Sequence, residues 1–494
     1  MKKLICLSVS AILFANVMLA NNLTVSNIVV TQNAGVGGTV AFTLSWDNSW
    51  RVALAPTNWD AVWVFVKFKD CLALSNVAFT HGTLSATTSA HSFGANLEAM
   101  TTINAAAGST VQGATLDDAT GGIMLRRNTA GSGTISSNVS LYISNLPANT
   151  MSLSTKVIGI EMVYCPQYDF YLGDATSDHR FRNTAADNNP MLITSAFEIA
   201  ASNFYLIDPA IPITGVPAAW PKGYYGFYIM KYEIPEELYV TFLNTLNQTQ
   251  QLIRYPGNLT FRNQTQFVSG TTYLAGRPDR AQNWLSWSDF SALLDWAALR
   301  PPTELEWEKA ARGSAGWVAG EYAWGNTTIS NGNTFTGSPI FSGENGTEVL
   351  TTGNSNCVSV IFVNGDGGQG PVRAGIFSTS SSTRTTAGAS YYGAMEMSGN
   401  IIEFTVAMHS TPASNVYTRT WGDGSIDVLT ANHNIGVWPA AGTTTTNFST
   451  ANLIGMRGGF WGNAVAELRI STRHHVYEDT RWNRDSWTGG RGAR

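Results

Sequence analysis

Helical periodicity in this chain is confined to one window, about residues 235–313 of 494, and that confinement constrains the fold class more than any other feature. Within it, "PEELYVTFLNTLNQ" puts Tyr239, Phe242, Leu243 and Leu246 on one helical face, with Pro235 suited to the first turn. "SWSDFSALLDWAALR" repeats the spacing with Phe290, Leu293, Leu294 and Ala297, and Ser286 and Asp289 stand at capping-box spacing. In "RPPTELEWEKAARG" Thr303 can cap, Glu306 can reach back, and Gly313 ends the helix. The rest of the chain carries short β-type runs and many glycines. Helices segregated from strands in this way read as α+β rather than as repeating βαβ units.

Residues 21–156 read as a β-sandwich domain. "LTVSNIVVTQ", "GTVAFTLSW", "AVWVFVKFK", "GIMLRR" and "VSLYISNL" are rich in Val, Ile, Phe and Tyr, partly alternate, and are separated by Gly, Asn, Ser and Thr. No catalytic constellation stands out here, and His81 and His91 read as surface residues in polar loops. Near residue 157 the texture changes: "VIGIEMVYCPQYDFYLGD" reads as a pair of strands opening a second domain, 157–494.

Lys2 and Lys3 precede an apolar run, Leu4 to Leu19, which ends at Ala20. That pattern predicts a signal peptide over residues 1–20 and a secreted, extracellular or cell-surface protein. No later stretch is long and apolar enough to span a bilayer. Charged residues make up 13% of the chain and the formal net charge is -5, so nothing electrostatic calls for nucleic acid or an anionic membrane. Beyond the signal segment the cysteines are Cys71, Cys165 and Cys357. Their odd number rules out complete pairing within one chain, and their wide spacing matches no compact metal motif.

Seven segments, in order, resemble the formylglycine-generating enzyme, or sulfatase-modifying-factor, family. They are "FYIMKYEI", "NWLSWSDFSALLDW", "LRPPTELEWEKAARG", "YAWGN", "GPVRAG", "YYGAMEMSGNIIEF" and "MRGGFW". The resemblance covers residues 157–494 and implies that family's variant of the C-type-lectin-like fold, with much irregular chain pinned on small sheets. The family's oxidases hold copper(I), a soft ion, with two cysteines. The resemblance places those positions at Asn463 and Leu468, neither of which supplies a thiolate. No copper is therefore expected, and an oxidase or other enzyme is the less favoured reading. A related iron-dependent branch uses a helical His-rich motif, whereas His474 and His475 are adjacent and point apart.

The resemblance also implies structural calcium. One site would use the Glu396 and Glu403 side chains with the Gly399 and Ile401 carbonyls, since calcium takes six to eight oxygens and a tight turn offers them. Glu396 is longer than the residue the family has there. A second site would begin at Asn333 and Thr334. The alternative for Glu403 is an ion pair with a neighbouring Arg.

The segment "RISTRHHVYEDTRWNRDSWTGGRGAR" sets an irregular aromatic and polar filling inside a regular frame. His474, His475, Tyr477, Arg481, Trp482, Arg484 and Trp487 form the candidate binding face, because Tyr, Trp and Arg dominate interface hot spots. The arrangement resembles the C-terminal region of lectin-fold proteins diversified by retroelements. Trp461 reads as core. The expected function is a non-catalytic protein that binds an extracellular protein or glycan, or mediates adhesion. The alternative is a structural subunit that self-assembles into an extracellular filament or surface layer.

Overall fold

Alternation in the strand Gly38–Arg51 builds the first layer: Val40, Phe42, Leu44 and Trp46 are buried while the residues between them are not fully so. This strand lies between Thr24–Gln32 and Gly131–Ile143, and Ser92–Phe93 completes an antiparallel four-stranded sheet. The computed structural model describes residues 22–73, 76–100, 103–104, 109–110, 121–183, 188–194, 205–206, 216–330, 353–357, 369–408, 416–439, 453–477 and 483–494.

The strand Asp60–Asp70 is apolar along nearly its whole length because both of its faces are covered. Val62, Val64, Val66 and Phe68 join the core of the first sheet. Ala61, Trp63 and Phe65 point the other way, into a larger core with Ile158, Ile160, Met162 and helical residues such as Leu293 and Trp296. Leu153–Cys165 runs beside it and pairs on its far edge with Phe227–Met230. One six-stranded sheet is thus shared between the N-terminal strands and the chain that follows.

The expected strand pair at 157–174 is not formed. Leu153–Cys165 has both edges occupied, by Asp60–Asp70 and by Phe227–Met230, so Phe170–Leu172 pairs instead with Met191–Ile193. The two histidines read as surface residues are buried. Nε2 of His81 lies 2.8 Å from the Gly121 carbonyl and the ring stacks on Phe65, while Nε2 of His91 lies 2.9 Å from the Ser85 carbonyl. Burial pushes the His81 imidazole well below its usual range.

Four α-helices lie in the periodic window: α1 Glu236–Leu243, α2 Gln248–Arg254, α3 Trp287–Trp296 and α4 Glu304–Arg312. The capping boxes Ser286/Asp289 and Thr303/Glu306 are both formed. Pro235 is the N-cap of α1 rather than a first-turn residue. The first predicted helix is in fact two, because Asn247 and Gln250 form a third box that opens α2. The fold is therefore mixed α and β, with the α-helices of the described residues in one region. Farther on, Ile402–Val406 pairs antiparallel with Ile454–Arg457 and parallel with Thr488–Gly489. The chain end returns to the shared sheet: the amides of Ile234, Met230 and Tyr228 donate to Gly490, Gly492 and Arg494, each at 2.8 Å.

Cys165 and Cys357 pack in one apolar cluster with Trp307, Leu468 and Ile470. Burial pushes the Cys357 thiol up to about 11. Among the described residues no helix is long and apolar enough to cross a membrane. Residues 1–20, Asn333, Thr334, Arg481 and Trp482 lie outside the described residues, as does the side chain of Tyr477.

Candidate binding site

The C-terminal frame is held by buried ion pairs. Helix α4 presents Glu304 and Glu308 one turn apart. Arg473 reaches Glu304 at 2.7 and 2.9 Å, and Arg457 reaches Glu304 at 3.1 Å and Glu308 at 2.5 Å. Ser471 donates to Glu308 at 2.9 Å, and Arg312 bridges Glu308 and Glu321. This explains the regular marks of the segment: Ser471 and Arg473 turn onto α4, while Leu468 and Ile470 enter the apolar cluster. Three carboxylates meet three guanidiniums there, so burial leaves no net charge. Such a set is costly to break at any one member.

Gly458 and Gly459 follow Arg457 with φ of 88° and 67°, a conformation in which any side chain is strained. They turn the chain so that Phe460 and Trp461 face a different neighbourhood. Trp461 stacks on Phe261 with centroids 5.5 Å apart, and Phe261 meets Trp284 at 6.1 Å. On the other side Phe460 meets Trp461 at 5.6 Å and stacks on Trp487 at 5.3 Å. Five rings, Trp284–Phe261–Trp461–Phe460–Trp487, form a continuous string. Trp461 is buried; the other four are partly exposed, Phe261 at 37%.

The outer end of the string is built on unusual backbone. Phe261, Arg262 and Trp284 have φ of 51°, 67° and 60°. Three non-glycine residues in the left-handed region cost energy, and such positions cluster where a protein presents something. They are fixed by hydrogen bonds: the Trp284 indole donates to the Thr260 carbonyl at 3.1 Å, and Asn283 donates to the carbonyls of Phe261 and Ser486. Beside Phe460 lies a polar edge. Asn463 donates to Glu467, and Nε2 of His475 lies 2.9 Å from the same carboxylate oxygen.

Residues 216–493 match the sulfatase-modifying factor enzyme 1-like domain, more than half of the chain. The chain belongs to this family. Two formylglycine-generating enzymes, from Streptomyces coelicolor and Thermomonospora curvata, are 44% and 42% identical to it over 59 residues. That stretch is 12% of this chain and 18% and 19% of theirs, so the chain spans less than a fifth of the length of these relatives. A solved structure described as "pH-induced modulation of Streptococcus parasanguinis adhesion by Fap1 fimbriae" is similar at 11% identity and a TM-score of 0.14, over 37% of this chain and 79% of that one. So low a score is no support for a shared fold.

In this sulfatase-modifying-factor-like chain, Asn463 and Leu468 do not converge on an open site. The Asn463 side-chain oxygen accepts from the Phe460 amide at 2.9 Å, and Leu468 is fully buried against the glycine turn. Glu403 accepts from Arg491 on both oxygens, each at 2.7 Å, and from the Trp307 indole at 2.9 Å. Both of its oxygens are therefore engaged by Arg491. Glu396 differs: one oxygen accepts from the Gly375 amide at 2.8 Å, and the other is buried with no hydrogen-bond partner. Burial, only partly offset by the Arg491 charge, pushes its carboxyl up to about 7. Glu233, not singled out in the sequence, accepts from Asn400 at 2.5 Å and from the Ile401 amide at 3.1 Å, inside the turn. Of the two carboxylates expected at the calcium site, Glu396 keeps an oxygen without a partner, whereas Glu403 is paired with Arg491. Among the described residues no three His, Cys, Asp or Glu side chains converge as a metal cluster.

The remaining candidates divide between roles. His474 is exposed, and His475 is buried against Glu467. Arg484 pairs with Asp289 through two nitrogens at 2.7 Å and donates to the carbonyls of Tyr255 and Ile253. Arg254 donates to the same carboxylate at 2.9 Å. Burial raises the Asp289 carboxyl, but the two guanidiniums outweigh it and hold the group at about 2. Arg484 is therefore committed to the frame, while Trp487 lies on the string. Phe261 and Trp284 were not anticipated. Their role depends on positive φ values that no residue type at those positions announces.

Proposed function

We propose that the chain is a secreted, non-catalytic binding or adhesion protein of the sulfatase-modifying-factor-like family, whose C-terminal region displays a ligand-binding face. The observation that carries this reading is the five-ring string with its outer end raised on strained backbone at Phe261 and Trp284. Aromatic rings give large contact area at modest entropy cost and offer stacking faces for sugars or cations. The missing thiolates at Asn463 and Leu468 support a non-catalytic role. The proposed architecture is an N-terminal β-sandwich, 21–156, supporting a lectin-like domain, 157–494. In this proposal the candidate face residues His474, His475 and Trp487 contribute to specificity for an extracellular protein or glycan.

Calcium, in this proposal, is a structural ion held at the Glu396 end of the "EMSGN" turn with the Gly399 and Ile401 carbonyls; the unpartnered oxygen of Glu396 supports it. The second proposed site, at Asn333 and Thr334, rests on the resemblance alone. A glycan array probed with the purified protein, followed by alanine substitution of Phe261 and Trp284, tests the binding role. Absence of binding to any glycan, together with intact protein partners after both substitutions, would sink it.

A second reading is favoured by one feature. Thr24–Gln32 is an edge of the four-stranded sheet with no further strand paired to it among the described residues, and Val29 and Ile28 on it are 58% and 39% exposed. An open apolar edge can pair with another copy, giving filaments or a surface layer. Negative-stain microscopy of wild type and of Val29→Lys distinguishes the readings: filaments lost in the variant would support assembly.

A further inference from the structure

The loop "VPAAWPKGYY", residues 216–225, is pinned at several points. The Lys222 ammonium donates to the Pro217 carbonyl at 2.6 Å and to the Trp220 carbonyl at 3.3 Å. The Thr303 hydroxyl at the start of α4 donates to the Pro221 carbonyl at 2.8 Å, and Lys309 donates to the Tyr224 carbonyl at 3.0 Å. The loop walls a cavity of about 180 Å³ lined by Ala218, Trp220, Tyr224, Tyr225 and Arg419. A water needs roughly 10–15 Å³ by the same kind of measure, so the space suits something larger than water.

Two residues of this lining carry donors without acceptors. Trp220 is 1% exposed, and its indole N–H has no hydrogen-bond partner. A buried donor left unpaired is costly and calls for an explanation. Arg419 is half-buried, and among the described residues its guanidinium has neither a hydrogen-bond acceptor nor an ion-pair partner; it rests on the Tyr225 ring at 5.1 Å. The carboxylate that acts on it electrostatically, Glu306, is already held by Arg300 at 2.7 and 2.8 Å. Lys222 lies in the same lining. A guanidinium with a free planar edge matches a carboxylate bidentately, and the partly exposed Tyr224 and Tyr225 rings suit a flat or ring-shaped body.

From this juxtaposition we infer that the cavity is a second binding site, separate from the aromatic string, for a small ring-bearing carboxylate such as an acidic sugar or an aromatic acid. The carboxylate sits on Arg419, and the ring lies against Tyr224 and Tyr225. Nothing in this site depends on the string or on segment 474–487.

The test is calorimetry and tryptophan fluorescence on the full chain with D-glucuronate and with benzoate, each beside its neutral methyl ester. Saturable binding of one acid at millimolar concentration is expected, at least about tenfold tighter than its ester, the range of one charged hydrogen-bonded pair. Arg419→Gln should abolish that preference with an unchanged melting temperature. Should the variant fail to fold, the acid-against-ester comparison on wild type still decides. Binding of neither acid, or equal binding of acid and ester, would overturn the inference.

Discussion

Arg491 grips both carboxylate oxygens of Glu403 at 2.7 Å, and the Trp307 indole closes the third contact. All three side chains are fully buried. Removing one partner of such a pair strands the other charge in the core, at about 3–5 kcal/mol. Glu403→Gln is therefore expected to lower the melting temperature by a similar amount with calcium and with chelator. A loss confined to calcium-containing buffer would show that Glu403 serves an ion instead of Arg491.

Glu396 provides the sharper calcium test. Its carboxyl is raised to about 7 from 4.5, first by burial, with the Arg491 and Arg373 charges opposing. The folded state thus binds a proton that the unfolded state has lost. The associated stability is complete below about pH 4.5 and disappears as pH rises through 7. In metal-free buffer Glu396→Gln should match wild type near pH 4.5 and exceed it by about 3 kcal/mol at pH 8. A bound calcium would keep the carboxylate ionised, so in calcium the same substitution should destabilise. Denaturant titrations at both pH values, with and without calcium, check the sign; no reversal on adding calcium would remove the proposed ion.

Asp289 works in the opposite direction. Burial raises it, but Arg484 and Arg254 bring it down to about 2 from 3.8. Its contribution is full above pH 3.8 and is lost as pH falls through 2, amounting to about 2–3 kcal/mol. Asp289→Asn should cost about 3–5 kcal/mol at pH 7, because the buried Arg254 and the half-buried Arg484 lose their carboxylate, and the gap to wild type should narrow in acid. Arg484→Ala should also destabilise, which separates it from the exposed members of the face.

The purified chain is expected to bind no stoichiometric copper(I), since the family resemblance puts the copper positions at Asn463 and Leu468, an amide and a hydrocarbon where a soft ion wants thiolates. Elemental analysis after copper loading, with oxygen uptake measured on thiol peptides, checks this. One copper per chain with turnover would restore the oxidase reading.

Local chemistry was legible in this sequence, and long-range pairing was not. The boxes Ser286/Asp289 and Thr303/Glu306 lie within one helical turn, so residue type and spacing suffice to find them. The Asn247/Gln250 box carried the same signal and was hidden inside an amphipathic run that looked continuous. The pairing of Arg457, Arg473 and Arg491 with Glu304, Glu308 and Glu403 spans from 88 to 169 residues of chain, and charge alone does not say which acid meets which base. His81 looked like a surface residue because its neighbours are polar; it is buried because Phe65 and the Gly424 turn close over it. Of the face, the sequence marked Trp487 and the core role of Trp461, but not Phe261 and Trp284.

The aromatic string divides into a core ring and presented rings, and this gives the last prediction. Trp461 is 6% exposed and touches rings on two sides, so Trp461→Ala should cost about 3–5 kcal/mol of stability. Phe261 is 37% exposed, and Trp284 caps the outer end. Their truncation removes little buried area, and each adopts a strained φ whose relief favours the folded state of a Gly variant. Phe261→Gly and Trp284→Gly should therefore leave the melting temperature within a few degrees of wild type or raise it, while weakening ligand or partner binding by about 1–4 kcal/mol, the range of hot-spot residues. Trp487, stacked on Phe460 and packed against the core, should fall between the two groups. Melting curves and binding isotherms on the four variants decide. If Phe261→Gly and Trp284→Gly unfold like the Trp461 variant while binding is unchanged, the strained end is structural and the proposed face loses its support.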